Sequence, residues 1–386
     1  MDTPRSSPSS NGALREVVTL FLKLGIVGFG GPAAHIAMMR DEVVRRRRWI
    51  DDARFLDLLG MTNLIPGPNS TEMAIHLGYL RAGWPGLVLG GACFIVPAMA
   101  IVLALAWAYV AHGARPEAAA ALYGIKPVII AVVVQAAWAL TRTAVKTPVL
   151  AALGVATVAL YAFGAHEVLL LLGGGVVIAL ARGVRGDRAA SVVLLAPTGV
   201  GAAVGGIATT VSLTTLSLTF LKIGAVLYGS GYVLLAFLRS DFVERLGWLT
   251  DRQLLDAVAI GQFTPGPVFT TATFIGYVVA GWSGALLATL AIFLPSFVFV
   301  ALSHPLVPKI RASATAAAFL DGVNVAALGL MLWVTWQLGR AAIVDIPTAL
   351  LALGAAVALL VFRVNSAWLV VAGAVAGVGL ALIGRG

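Results

Sequence analysis

Charged residues are scarce in this chain of 386 residues: Asp, Glu, Lys and Arg make up only 11%, against about a quarter in soluble domains. Hydrophobic residues make up 60%, and the mean hydropathy is +0.97. This composition excludes an ordinary soluble domain and predicts a membrane protein. Apolar segments near the length that crosses a bilayer recur along the chain. They are 84–111, 118–141, 148–163, 166–182, 282–303, 314–337, 346–362 and 366–383.

Cysteine is nearly absent as well, since Cys93 is the only one. A single cysteine excludes a disulfide framework and a cysteine-based metal site. The five histidines are scattered, and no His-Glu-x-x-His motif occurs. We therefore predict no metal and no cofactor, and an intramembrane enzyme is the least favoured class.

Acidic residues are the minority among the charges, with 17 Asp and Glu against 26 Lys and Arg. In a soluble protein the net charge of +9 would indicate nucleic acid. In a membrane protein the same excess is typical of loops that stay in the cytoplasm, as for the cluster Arg45-Arg46-Arg47-Arg48. The predicted partner is the lipid bilayer and not nucleic acid, and the sequence leaves a homodimer open.

An internal repeat is the main positive feature of the chain. Phe21-Leu22-Lys23-Leu24-Gly25 recurs as Phe220-Leu221-Lys222-Ile223-Gly224, and Pro66-Gly67-Pro68 recurs as Pro265-Gly266-Pro267. The offset is 199 positions up to the Pro-Gly-Pro and 198 beyond it. Duplicated membrane units with breaks at matching places are typical of secondary transporters.

The repeat divides the chain into four parts. We predict a polar N-terminal tail at 1–16, a first repeat at 17–183, a linker at 184–212 and a second repeat at 213–386. The linker contains an apolar stretch long enough for one extra crossing. If the linker crosses, the second repeat is inverted relative to the first, which is the arrangement we favour.

Each Pro-Gly-Pro breaks a helix, because proline lacks an N–H and disfavours helical geometry in the preceding residue. Broken backbone survives in a membrane only where protein, water or ligand surrounds it. The sequence therefore predicts an all-α polytopic membrane protein with two homologous halves, whose breaks meet at one central cavity. In the first half, 17–44 and 54–82 are predicted to be re-entrant hairpins. A simpler alternative makes 17–38 one ordinary span.

The residues at the breaks suit an anion. Asn69-Ser70-Thr71 and Thr270-Thr271 follow the two Pro-Gly-Pro segments, and such residues start helices whose free N–H groups bind anions. The alternative is that they only cap their own half-helices. The candidate substrate-binding residues at and after the breaks are Gly30, Gly31, Pro66, Gly67, Pro68, Asn69, Ser70, Thr71, Pro265, Gly266, Pro267, Thr270 and Thr271.

Charges inside apolar segments add six further candidates. Lys23 and Lys222 occupy the same place in both copies, and Lys126 lies near the start of a span, so we assign all three to substrate binding. The alternative is that these lysines snorkel to the interface. The acids Glu72, Asp57 and Asp256 are expected to face the cavity, where they neutralise lysines or carry protons; both roles stay open.

These residues resemble the chromate transporter (CHR) family. The matching pattern is Gly30-Gly31, twelve residues, Val44, four residues, Trp49, sixteen residues and Pro66-Gly67-Pro68. The second copy departs from it, with Gly229-Ser230-Gly231 in place of Gly-Gly-Pro. The resemblance covers both halves, which is the long two-domain form. It implies a bacterial inner-membrane exporter of chromate, with sulfate as a competing substrate; the alternative is a transporter or channel for another anion or small solute.

Overall fold

The computed structural model describes residues 10–113, 115–182, 211–228, 231–311 and 314–383. All regular structure in this part of the chain is helical, which confirms the predicted fold class. The first half contains α1 Ser10–Val27, α2 Gly31–Arg40, α3 Asp52–Thr62, α4 Asn69–His112, α5 Pro116–Ala144, α6 Pro148–Ala162 and α7 Glu167–Ala181. The second half contains α8 Leu213–Val226, α9 Leu234–Leu238, α10 Asp251–Phe263, α11 Thr271–Arg311, α12 Ala314–Ala342, α13 Ile346–Leu360 and α14 Ser366–Ile383.

The structure bears on the predicted boundaries of the N-terminal tail and of the linker. Helix α1 begins at Ser10, so residues 10–16 are helical although the sequence places them in the polar tail. The predicted linker 184–212 lies outside the described residues except for Val211 and Ser212, as do Gly229 and Ser230 of the second glycine-rich break.

Five helical segments are long and apolar enough to cross a membrane, namely those containing α4, α5, α11, α12 and α14. The predicted spans 148–163, 166–182 and 346–362 are helical but shorter, because α6, α7 and α13 have 15 residues each. At 1.5 Å per residue such a helix measures about 22 Å, less than the hydrocarbon core of about 30 Å. These three helices alone do not provide the full crossings that the sequence predicts.

Helix α4 is a tight helical hairpin. Its backbone leaves helical geometry at Ala82 and Gly83, where Gly83 has φ 63° and ψ −149°. Gly78 packs directly on the backbone of Gly86, which only a chain reversal allows. The first arm, 69–81, therefore measures about 20 Å and cannot cross a bilayer alone. The equivalent residues in α11 are Gly276, Ala280, Gly281 and Gly284.

The two predicted hairpins of the first half share one open end. Glu16, near the start of α1, accepts hydrogen bonds from Trp49 Nε1 at 3.1 Å and Arg81 Nη2 at 2.8 Å. Trp49 precedes α3 and Arg81 ends the first arm of α4, so the chain enters and leaves each hairpin at the same face. The single-span alternative for 17–38 is wrong, because α1 ends at Val27 and α2 starts at Gly31.

The two halves are inverted relative to each other. Tyr123 Oη, near the start of α5, donates to Asp345 Oδ2 at 2.6 Å, just beyond the end of α12. Lys146 Nζ, just beyond the end of α5, donates to Asp321 Oδ1 at 2.8 Å, near the start of α12. The corresponding helices α5 and α12 therefore run antiparallel, as an inverted repeat requires. The hydrogen bond from Tyr123 lowers the pKa of the Asp345 carboxyl, so this contact favours its charged form.

Candidate functional site

The broken segments of the two halves complete each other's backbone. Gly67 N donates to Leu227 O at 2.8 Å, and Gly266 N donates to Gly28 O at 2.8 Å. Leu227 occupies the position equivalent to Gly28, so the exchange is symmetric. An unpaired backbone group in a membrane costs several kcal/mol, and here the opposite half pairs it. The breaks meet through direct hydrogen bonds rather than across the open cavity that the sequence predicts.

Glycine is required at Gly67 and Gly266, the two residues whose N–H groups donate these hydrogen bonds between the halves. Gly67 has φ 137° and Gly266 has φ 88°, a region that side chains disfavour. A Cβ on Gly67 would collide with Glu72 Oε1 and lie 2.6 Å from Ser296 Oγ. A Cβ on Gly266 would lie 2.7 Å from the Cβ of Ala98, the counterpart of Ser296. The same close approach thus places polar groups around Gly67 and a methyl group at Gly266.

The polar groups near Gly67 face one another without well-formed hydrogen bonds in the described part of the chain. Thr71, Glu72 and Ser296 are completely buried. The Thr71 hydroxyl, both Glu72 oxygens and the Ser296 hydroxyl make no hydrogen bond of good geometry within the described part of the chain. The great majority of buried side-chain polar atoms in proteins are paired, so each exception needs an explanation. A ligand or water that binds at this position provides one.

The hydroxyls that follow the second Pro-Gly-Pro, unlike the hydroxyl groups near Gly67, have hydrogen-bond partners. Thr270 Oγ1 donates to Pro267 O and Thr271 Oγ1 donates to Val268 O, each at 2.8 Å. These two side chains donate to their own backbone carbonyls, which differs from the capping alternative, in which the side-chain oxygen accepts from a backbone N–H. In the first half Asn69 Nδ2 donates to Asn63 Oδ1 at 2.6 Å across the break, and Ser70 is buried. The two copies therefore contribute unequally to the centre.

The paired lysines contact carboxylates that the sequence interpretation missed. Lys23 Nζ lies 2.7 Å from Glu42 Oε1, and Lys222 Nζ lies 2.7 Å from Asp241 Oδ2. Lys222 also reaches Glu167 at 3.4 Å. Glu42 and Asp241 occupy matching positions on π-helical turns that extend α2 and α9, at Asp41–Arg46 and Arg239–Arg245. Comparing acids at the repeat offset of 199 would have revealed this pair.

The third lysine forms a buried ion pair. Lys126 Nζ on α5 lies 3.0 Å from Asp256 Oδ1 on α10, and Tyr109 Oη donates to Asp256 Oδ2 at 2.9 Å. The equivalent acid Asp57 is half-buried, and Asn324 replaces Lys126 in the second half. Asp256 thus neutralises a lysine, one of the two roles expected of it, but its partner is Lys126 and not a paired lysine.

The glycine pair of the first break shapes a turn beside this centre. Gly30 has φ 105° and Gly31 has φ 76°, which lets the chain pass from α1 into α2. His35 Nε2 on α2 lies 2.8 Å from Gly28 O, which also accepts from Gly266. The turn at Gly30 and Gly31 therefore helps to place Gly28 O, which is the acceptor for the Pro-Gly-Pro of the second half.

Two inverted halves whose broken helices meet at the centre are the architecture of a membrane transport protein of the secondary-transporter class. The sequence model of the chromate transporter family matches residues 15–180 and 214–378, one match for each repeat. The chain belongs to the chromate transporter family. Members of this family are transport proteins, so the chain is a multi-pass membrane transporter and not an enzyme.

Curated relatives cover most of the chain. A chromate transport protein of Cupriavidus metallidurans is 38% identical over 366 residues, 94% of this chain and 91% of its own length. A chromate transport protein of Pseudomonas aeruginosa is 34% identical over 85% of this chain and 82% of its own length. The uncharacterized transporter YwrA of Bacillus subtilis is 26% identical over 166 residues, 41% of this chain and 93% of its own length. No solved structure matches the chain.

Proposed function

We propose that the protein exports chromate, or a related tetrahedral oxyanion such as sulfate, from the cytoplasm across the bacterial inner membrane. The observation that carries the proposal is the group of buried, unpartnered polar atoms around Gly67, where the broken segments of both halves meet. The names of the relatives support chromate as the substrate.

The start of α4 provides what an oxyanion needs. Helix N-termini present N–H groups without intrahelical acceptors and the positive end of the helix dipole. The Thr71 and Ser296 hydroxyls add two donors from opposite halves. A dianion in a dry site requires many donors, so contributions from both repeats favour a site shared between them. In this proposal the ion pairs of the lysines with Glu42, Asp241 and Asp256 set the electrostatic potential along the route of the anion.

Export of a dianion is favoured by the membrane potential. With the cell interior negative, two charges moving outward gain about 4.6 kcal/mol per 100 mV, twice the value for one charge. At about 1.4 kcal/mol per tenfold, this sustains roughly three decades of concentration gradient.

Proton coupling is a further part of the proposal. Glu72 is its leading carrier, because Asp256 is held by Lys126 and Asp57 lies less deeply.

Vesicle transport tests the proposal. In inside-out vesicles with an imposed potential, positive inside, we expect chromate uptake that sulfate inhibits, and parallel competition by molybdate and phosphate measures the preference among oxyanions. Ser296→Ala should reduce uptake at least tenfold, because it removes one donor from the shared site. Ser283→Ala is the matched control, since Ser283 is exposed and bonds only its own helix. Absence of chromate uptake by the wild type, or full uptake by Ser296→Ala, would contradict the proposal.

A further inference from the structure

Glu72 is an unpaired carboxylate at the proposed anion site. It lies in the first turn of α4, is completely buried, and reaches back so that Oε1 contacts the Cα side of Gly67, just before the helix begins. No Lys or Arg of the described chain forms an ion pair with it, and neither oxygen has a hydrogen-bond partner of good geometry. The carboxylate therefore lies where the helix N-terminus would attract an external anion.

The elements around Glu72 carry few charged groups. The titratable residues on the elements packed against α4, apart from those at the open ends of the hairpins, include Lys23 on α1, His35 on α2, Asp57 on α3 and Asp256 on α10; His76 lies on the first arm of α4, and Tyr228 follows α8. Lys23 and Asp256 already have oppositely charged partners. From α11 the facing group is the neutral Ser296 hydroxyl.

A carboxylate and a dianion cannot share this position. Like charges in a poorly solvated site repel strongly, and one of them must be neutralised or leave. A proton on Glu72 removes the repulsion and converts the carboxylate from an acceptor into a donor. Anion binding and protonation at one site are then linked, and each favours the other by the same factor.

Building on the proposed function, we propose that Glu72 is the proton-binding group of the oxyanion site: its side chain occupies the start of α4 when the site is empty, and it carries a proton whenever the oxyanion is bound, taking that proton from solution at any pH at which the empty site holds the carboxylate. The proton then accompanies the oxyanion, so one net negative charge moves outward and the gain from the membrane potential is half that of the bare dianion. Each bound oxyanion brings one proton to Glu72, and no bond other than this O–H forms or breaks.

Chromate binding to the purified full-length protein tests this linkage. Above the pH at which the empty site releases the proton of Glu72, we expect the wild-type affinity for chromate to fall about tenfold more per pH unit than that of Glu72→Gln, which has no proton to take up. The protonation of chromate itself affects both proteins equally and cancels in this comparison. Glu117→Gln is the matched control: Glu117 is an exposed acid in the first turn of α5, and the variant should keep the wild-type pH dependence.

A second measurement needs no variant. At a pH where free chromate is fully deprotonated, chromate binding in weakly buffered solution should take up as much as one proton per chromate bound. Absence of uptake would overturn the role of Glu72 even if the glutamine variant did not fold. Chromate binding with equal pH dependence in the wild type and Glu72→Gln would overturn that role alone. No chromate binding by the wild type would overturn the proposed function as well.

Discussion

At the scale of single residues, the glycines of the Pro-Gly-Pro segments do more than free the backbone between two prolines. Gly67 combines φ 137° with contacts to Glu72 and Ser296 that leave no room for a methyl group. The sequence identifies this glycine as a helix breaker. The close approach of a residue from the other repeat is a property of the tertiary structure alone.

Gly67→Ala should abolish chromate transport and lower the free energy of unfolding, because it adds a steric collision to a backbone strain of about 1–3 kcal/mol. Gly164→Ala is the control. Gly164 has φ 89° but faces open space, so that variant carries the strain without the collision. Thermal unfolding and vesicle uptake of both variants provide the measurement. Equal loss in the two variants would show that strain, and not the contact at the centre, is responsible.

The paired lysines should differ in their contribution to stability. Lys222 is 19% exposed and contacts two buried carboxylates. Arg245 also pairs with Asp241, but no Lys or Arg in the described part of the chain other than Lys222 pairs with Glu167, so Lys222→Ala should cost about 1–3 kcal/mol. Lys23 is 51% exposed, and Arg46 and Arg47 also bind its partner Glu42, so Lys23→Ala should cost only about 0–1 kcal/mol. Thermal unfolding of the purified variants measures the difference.

Adding Glu167→Gln to Lys222→Ala should recover part of the stability, since the carboxylate that loses its lysine is removed. Equal destabilisation by the two lysine variants would contradict this account. If both variants unfold normally yet fail to transport chromate, the lysines contact the substrate directly, as the sequence interpretation proposes.

At the scale of elements, hydropathy and proline predict where helices run and break, but not which groups pair. The break before Asn69 and the spans near α5 and α12 follow from local sequence. The acids Glu42 and Asp241 do not, because they lie beside arginines and look like loop residues until the hairpin folds back. Ser296 is one hydroxyl in an apolar helix, and only its contact at Gly67 distinguishes it.

The antiparallel packing of α5 and α12 predicts a specific cross-link. In a Cys93→Ala background, Tyr123→Cys with Asp345→Cys should react with a short bifunctional thiol reagent. In the native protein Tyr123 Oη lies 2.6 Å from Asp345 Oδ2, so the two positions face each other. Tyr123→Cys with Asp321→Cys is the control, since Asp321 lies near the start of α12, at the end that packs against Lys146 and not against Tyr123. Mobility on a gel after cleavage in the 184–212 linker reads out the bond. Cross-linking of the control pair alone would contradict the packing.

At the scale of the whole molecule, the inverted halves place equivalent positions on opposite sides of the membrane. The segment after α5 and the segment after α12 occupy matching places in the two repeats, yet α5 and α12 run in opposite directions. Local sequence provides few charges to orient the second half. The inversion becomes evident only from contacts between the halves.

Impermeant thiol labelling in the Cys93→Ala background checks the inversion. Lys146→Cys and Asp345→Cys, introduced singly, should be labelled from opposite sides of the membrane, one in intact cells and the other only in inside-out vesicles. Denatured samples control for reactivity. Labelling of both positions from the same side would show that the repeats are parallel.

The mutual hydrogen bonds between the breaks also constrain how the two repeats can evolve. Because Gly67 depends on Leu227 and Gly266 depends on Gly28, neither copy can drift freely after duplication: a change in one break alters the fitness of the other. Divergence is tolerated at side chains such as Ala98 and Ser296, and this is where one repeat can specialise. By the same argument, one repeat on its own would need a second polypeptide to supply these acceptors.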